Sequence, residues 1–342
     1  MTTLYVTHPR FPEHDSPGHP EHAGRIRAIW QRLDETGLAA RMQAVEAPSI
    51  ERDLILSVHT PRYLDLLDKL SGLDRTVRLD NDTYANPWSY EIARLSAGGV
   101  VRAVEAVASG AVHNALAAVR PPGHHAMPDH GMGFCLLGNI ALAARYAQQH
   151  SGLRRILIVD YDVHHGNGTE AMFYNDPSVL FISTHQQGIY PGTGAISDTG
   201  VGKGVGYTIN VPLIGGHGDA SYAAIFEQIV WPAAIRFEPE LILVSAGFDA
   251  HWDDPLAGIH LSLNGYAHLT RELVRMANQL CGGKIAFIVE GGYNLDVLSE
   301  GVANIARVLL GEATVDPLGA SPYSERTGVD NVIARVKQVQ GL

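Results

Sequence analysis

Four places in the chain gather side chains that can bind a cation or move a proton. They are Arg120-Pro121-Pro122-Gly123-His124-His125, Asp160-Tyr161-Asp162-Val163-His164-His165-Gly166-Asn167, Ala246-Gly247-Phe248-Asp249 and Glu290-Gly291-Gly292-Tyr293. In an extended segment, Asp160, Asp162 and His164 point to the same side. Two carboxylates and an imidazole on one side suit a divalent metal. A catalytic zinc takes three protein ligands and keeps a fourth position for water or substrate. The segment offers two such ligands, and Asp249 is the natural third. The competing reading has Asp160 and Asp162 capping the next helix and His164 packed as a core histidine. The cluster as a whole favours the metal, because buried charge is costly unless paired or metal-bound.

His124 and His125 follow a Pro-Pro-Gly turn that fixes the backbone and aims the rings. Metal-assisted amide hydrolysis needs a base for the water and an acid for the leaving amine. A histidine pair supplies both. Each imidazole needs a partner that fixes its tautomer, and Asp160 and Asn167 are suitable. Tyr293, on a Gly-Gly turn, can donate a hydrogen bond to an oxyanion. Its alternative is a half-buried packing tyrosine.

The elements that must position these groups are short apolar runs bounded by turn signals. Ala115–Val119, Arg155–Asp160, Glu240–Ser245 and Ile285–Val289 read as buried parallel strands, with Val179–Ser183 and Tyr207–Val211 beside them. Helical patterns cover Ser96–Ala108, Asn139–Gln149 with Asn139 as N-cap, Ala220–Phe237 with a kink at Pro232, Asn264–Leu280 and Leu295–Leu310. Strands alternating with helices predict an α/β fold: a central parallel sheet with helices on both faces. Ligands of such sheets bind beyond the carboxyl ends of the strands, and all four polar clusters fall there. Earlier in the chain, Thr3–Thr7 reads as a strand and Glu21–Leu33 as a helix. Arg10–Pro20 and Asp74–Trp88 read as loops. No repeat or linker divides the sequence, so residues 1–342 are expected to form a single domain.

Bulk composition narrows the function classes. Hydrophobic residues make up 46%, enough for a large core. A net charge of −11 argues against a nucleic-acid partner and mildly favours a cationic one. Two cysteines, Cys135 and Cys281, exclude a disulfide framework and a Cys-rich zinc site. No apolar run is long enough for a membrane span, and Met1–His8 has no signal-peptide pattern. The expectation is a cytoplasmic protein without membrane contact. A homo-oligomer is compatible with the sequence.

The motifs together resemble the histone deacetylase family. The segments that carry the likeness are RPPGHHA (Arg120–Ala126), GFC (Gly133–Cys135), DYDVHHGNG (Asp160–Gly168), PGTG (Pro191–Gly194), NVPL (Asn210–Leu213), GFD (Gly247–Asp249) and EGGYNL (Glu290–Leu295). They occur in the family's order over about residues 19–311. The pattern is most similar to the class II branch and its bacterial relatives. Asn167 stands where class I members carry Asp, and Glu290 where they carry Gly.

The resemblance implies the arginase/deacetylase fold and zinc-dependent deacylation. It makes Asp162, His164 and Asp249 the metal ligands and His125 the general base. His124 becomes its electrostatic partner or the acid. Tyr293 polarises the acyl carbonyl, and Asp160 and Asn167 orient the histidines. Phe134 and Tyr190 wall an acyl-lysine tunnel beside Gly133. Asp82 binds substrate backbone amides at the rim, and Arg25 belongs to an internal acetate-release channel. The resemblance also implies structural potassium, at oxygens of Asp160, Asp162, His164, Ser183 and Thr184 and, for a second ion, of Phe173, Asp176, Val179 and Tyr207. Ordinary capping and turn bonding is the alternative for these oxygens.

Two departures bear on substrate. His251 and Trp252 add bulk near the rim. Leu256 stands where polyamine-selective relatives carry a gatekeeping glutamate, which favours acyl-lysine or a related small N-acyl amine. The alternatives are an acetylpolyamine deacetylase, a binuclear ureohydrolase and a non-catalytic acyl-ligand binder. His251, two residues after Asp249, is not the Asp that a second metal needs. No ligand, histidine or tyrosine is missing, as a degenerate binder would show. Asp2His ligation admits iron(II) as well as zinc.

Overall fold

The computed structural model describes residues 2–342. Eight strands form one sheet, β1 Thr3–Thr7, β2 Gln43–Glu46, β5 Asn114–Ala117, β6 Ile156–Asp160, β7 Val179–Gln186, β8 Thr208–Leu213, β9 Leu241–Ala246 and β10 Ile285–Val289. Their order is β2-β1-β5-β10-β9-β6-β7-β8, and every neighbouring pair is parallel. Every residue of β6, β9 and β10 is buried. Such strands need cover on both faces, which explains their continuous apolar runs.

Helices supply that cover in two groups. One contains α3 Pro61–Ser71, α4 Ser89–Ala108 and α5 Asn139–His150; the other contains α1 Gly24–Glu35, α7 Asp219–Ile225, α9 Leu263–Leu280 and α10 Leu295–Leu310. The architecture is the single-domain α/β fold expected from the sequence. Among the described residues no helix is long and apolar enough to cross a membrane. Cys135 and Cys281 are both free and buried.

Several local expectations need correction. Asn139 is not the N-cap of α5; Gly138 is. The Asn139 amide turns inward and donates to Ser96 Oγ and the Pro121 carbonyl, at 3.0 and 3.1 Å. It fastens the start of the histidine loop to α4. That helix begins at Ser89, seven residues before the expected start. Pro232 does not simply kink one long helix. A π-helical turn at Phe226–Val230 joins α7 to α8 Trp231–Phe237 without a break, and Pro232 lies just after that turn, an irregularity that such helices carry at a proline or a π turn. The loop Asp74–Trp88 contains a short antiparallel pair, β3 Val77–Arg78 with β4 Tyr84–Ala85. Five further helices and strands were not anticipated: β2, α2 Arg52–Ile55, α3, α6 Asn167–Phe173 and α11 Val329–Gln340.

Candidate active site

Because the strands are parallel, the loops after β5, β6, β9 and β10 leave from one edge. That edge brings Asp162, His164 and Asp249 together, with one donor atom of each within 4.8 Å of the others. His164 Nδ1 faces Asp249 Oδ2 at 3.1 Å and Asp162 Oδ1 at 3.3 Å. Backbone amides hold the carboxylates in place. Val163 N–H donates to Asp249 Oδ1 at 2.9 Å, and Gly291 N–H donates to Asp162 Oδ2 at 2.8 Å. The approach requires glycine: a Cβ on Gly291 would lie 2.5 Å from Asp162 Oδ2 and 3.0 Å from Asp249 Cγ.

The charges of this trio need a cation. Burial, reinforced by Asp162, raises the Asp249 carboxyl. Burial also opposes the charge of Asp162, yet the charge of His124 and the bonds from His164 hold its carboxyl well below the usual range. Burial likewise opposes a charged His164, but its bonds to the two carboxylates prevail and push it up to about 10. A single proton on His164 offsets only one of the two carboxylate charges. A divalent ion on the same oxygen, nitrogen and oxygen donors balances both. Two carboxylates and one imidazole, with room beside them, fit a catalytic zinc.

The two histidines occupy opposite electrostatic environments. His124 Nδ1 lies 3.0 Å from Asp160 Oδ2, and its Nε2 is 3.8 Å from Asp162 Oδ1. Burial disfavours its charge, but Asp162 and Asp160 raise its pKa well above the ordinary value. His125 Nδ1 sits 2.7 Å from Asn167 Oδ1. Burial and the charges on His124 and His164 drive its pKa well down. Asn167 turns its amide nitrogen to the sulfurs of Met127 and Met132, both at 3.3 Å, so its oxygen faces His125. The Nδ1 of His125 then carries the hydrogen, and its Nε2 lone pair is free.

A pocket of about 230 Å³ opens onto this centre, lined by Asp82, His125, Gly133, Phe134, His164, Ile189, Tyr190, Leu256 and Tyr293. Every residue expected at the substrate site is among them. Phe134 stands edge-on to Tyr293 at 5.8 Å, and His125 edge-on to Tyr190 at 5.2 Å. Phe134 has φ +68°, a strained value for a bulky residue. Its N–H donates to Thr83 Oγ1 at 3.1 Å, and His19 packs edge-on against its ring at 4.7 Å. Tyr293 has a strongly raised pKa, chiefly from burial, so its phenol stays a proton-bearing donor.

A family model for the histone deacetylase domain matches residues 19–309. The chain belongs to the histone deacetylase family. Its sequence is 43% identical to Histone deacetylase 14, chloroplastic, of Arabidopsis thaliana, over 96% of this chain and 82% of that protein. It is 40% identical to a probable deacetylase of Archaeoglobus fulgidus, over 86% of this chain and 82% of that protein. The crystal structure of the HDA15 HD domain superimposes with a TM-score of 0.91 at 39% identity, covering 99% of this chain and 94% of that one. Histone deacetylase-family proteins are hydrolytic deacetylases, generally zinc-dependent, and this chain is an enzyme of that class.

Other expected residues lie as follows. Arg25 is buried and grips the loop that carries Tyr293. Its Nε donates to the Gly292 carbonyl at 2.7 Å and its Nη2 to the Glu290 carbonyl at 2.5 Å, while its guanidinium lies 5.0 Å from the Tyr293 ring centre. At the first expected potassium site, Thr184 Oγ1 is 3.5 Å from the Asp160 carbonyl, and Ser183 Oγ is 3.0 Å from His185 Nδ1. At the second, the Phe173 and Tyr207 carbonyls accept ordinary backbone bonds from Asp176 and Phe181, both at 2.9 Å.

No role was expected for three supporting residues, although Arg120 and Glu290 lie within the singled-out motifs. The Glu290 carboxylate accepts from the Gly123 and His124 amides at 2.7 and 3.3 Å and from Ser245 Oγ at 3.2 Å. It thus holds the histidine loop from beneath. Arg120 is wholly buried and forms a two-pronged pair with Glu21, at 2.7 and 2.8 Å. It ties that loop to the N-terminal segment. Ile189 completes the pocket wall. A charged residue at the end of an apolar run, such as Glu290 directly after β10, was the available signal.

Proposed function

We propose that this protein removes an acyl group, acetyl in the simplest case, from acyl-lysine or a related small N-acyl amine. The observation that carries the reading is the opposed environment of His124 and His125 beside the Asp162–His164–Asp249 trio. Two titratable groups pushed apart in this way identify an acid and a base. We assign the metal to zinc, held by Asp162, His164 and Asp249. When bound, the ion polarises the acyl carbonyl and acidifies a water.

The protein's own groups do the rest. His125 is neutral, with Nε2 free, and accepts the proton of the attacking water. His124, kept charged by Asp160 and Asp162, stabilises the developing negative charge. Either histidine can return a proton to the leaving amine, and His125 holds one after the attack. The Tyr293 phenol donates to the carbonyl oxygen as charge gathers there. Phe134 and Tyr190 flank the apolar stem of the substrate, and Asp82 at the rim accepts from its backbone amides. Leu256 offers no charge to a polyamine's second ammonium. Structural potassium near Asp160 and Phe173, and residues 1–342 as one unit, complete the proposal.

Kinetics with acetyl-lysine peptides, longer acyl-lysines and acetylated polyamines test the substrate. A preference for the polyamines would overturn the acyl-lysine reading. Tyr293→Phe tests the chemistry: its metal content stays intact, and kcat falls by about 10²–10³, as for loss of an oxyanion donor. Full activity would remove Tyr293 from the mechanism.

A further inference from the structure

Tyr293 follows two glycines, and the backbone at Gly292 has φ +119°. Such a turn brings the loop close to the metal trio but offers no side chains to hold it. Something else must fix the tyrosine's backbone. That contact comes from Asp254, in the loop after β9. Its Oδ2 accepts the N–H of Tyr293 at 2.7 Å and that of Asn294 at 3.2 Å. Its Oδ1 accepts the N–H of Leu256 at 3.0 Å. The side chain is only 6% exposed, and no cationic side chain pairs with it among the described residues. Burial and the nearby Asp249 push its carboxyl up to about 7 against the three amide donors, and its oxygens accept those bonds whether or not it carries a proton.

The surroundings give this latch leverage. Tyr293 and Leu256 line the same pocket, so one carboxylate ties together two of its walls. Asn294 strengthens the junction: its Nδ2 donates to the Asp253 carbonyl and carboxylate at 3.0 and 2.9 Å. Arg25 lies over one face of the Tyr293 ring, 5.0 Å from its centre, and holds the carbonyls of residues 290 and 292. The amide of Tyr293 itself is held by Asp254 alone. Loss of that bond lets the phenol drift while the metal ligands stay in place.

We propose that Asp254 is a positioning residue for deacylation, fixing the Tyr293 phenol at the acyl carbonyl by holding the backbone amides of Tyr293 and Asn294. The inference rests on the reading of Tyr293 as the carbonyl donor. The test is a double-mutant cycle of Asp254→Ala with Tyr293→Phe, read as kcat, KM and bound zinc on an acetyl-lysine peptide. A displacement of about 1 Å predicts a loss in kcat on the order of 10²-fold for Asp254→Ala, with bound zinc unchanged. In the Tyr293→Phe background the same substitution should cost less than about threefold, because the phenol it positions is already gone. Equal losses in both backgrounds, loss of zinc, or an unchanged kcat would each overturn the proposal. Asp254→Val, which also accepts no hydrogen bond but leaves less empty space, runs the same cycle should the alanine variant fold poorly. If Tyr293→Phe alone is fully active, the role of Tyr293 falls, and the proposal for Asp254 falls with it. If Tyr293→Phe is impaired and Asp254→Ala is not, only the proposal for Asp254 falls.

Discussion

Gly133 offers a sharp test of the catalytic geometry. Its φ is +56°, and a Cβ there would lie 2.6 Å from His125 Cγ and 2.8 Å from His125 Cβ. Ordinary carbon contacts are about 3.5–4.0 Å, so Gly133→Ala forces His125 to move by roughly 1 Å. The ring has little freedom to do so. Its Nδ1 is held by Asn167, its neighbour His124 is 4.0 Å away between ring centres, and Tyr190 stands edge-on to it. A shift of that size at the base predicts a fall in kcat of about 10²-fold. The left-handed backbone adds a stability cost of about 1–2 kcal/mol. Gly188 separates the two effects. It has φ +82° with nothing within 4 Å of a new Cβ, so Gly188→Ala carries the backbone cost without the collision. Steady-state kinetics and urea unfolding of both variants, with bound zinc measured, decide the matter. Both should show the backbone cost, Gly133→Ala should lose about 1–3 kcal/mol more through the collision, and only Gly133→Ala should lose turnover. Normal turnover in Gly133→Ala would refute the placement of His125 as base.

Asp249→Asn removes a charged donor, and metal analysis should show loss of bound zinc together with activity; retained zinc would exclude Asp249 as a ligand. Leu256→Glu places a carboxylate at the pocket rim and should raise kcat/KM for acetylated polyamines relative to acetyl-lysine peptides, while an unchanged ratio would dismiss Leu256 as a selectivity residue. Acid should destabilise the fold through histidines away from the metal trio. Burial, aided by Arg120 at His14 and by His165 at His185, holds both down to about 3, and burial holds His59 down to about 4. Unfolded histidines titrate near ~6.5, so below that pH the unfolded chain binds more protons and stability falls toward pH 4. Each contributes a slope of about 1.4 kcal/mol per pH unit, roughly 4 for the three. Urea unfolding at pH 6 and 5 measures it; His59→Gln should remove about a third of the slope, and an identical slope would show that His59 is not buried neutral.

What the sequence revealed follows from where this fold keeps its chemistry. Parallel strands buried on both faces leave continuous apolar runs, and polar residues at their ends stand out against them. Asp160, Asp162, His164 and Asp249 were legible for that reason. So were His124, His125 and Tyr293, each flagged by a neighbouring turn. Among the peripheral elements, β2 was less visible because it is largely exposed, whereas α3 carries an N-cap at Thr60, Pro61 in its first turn and an apolar face of Tyr63, Leu64 and Leu67 that the sequence reading overlooked. The deeper gap concerns carboxylates whose partners are backbone amides. Glu290 holds the amides of Gly123 and His124, and Asp254 those of Tyr293, Asn294 and Leu256. A backbone amide has no residue type, so nothing in the sequence names the partner of such an acid. Yet the glycine-rich turns need these contacts most, because they have no side chains with which to fix themselves. The glycines that let the loops approach the metal trio thus create the demand, and buried acids from other strands meet it. A buried Asp or Glu with no cationic partner, near a glycine turn in the fold, is therefore the place to look for the groups that hold a catalytic residue still.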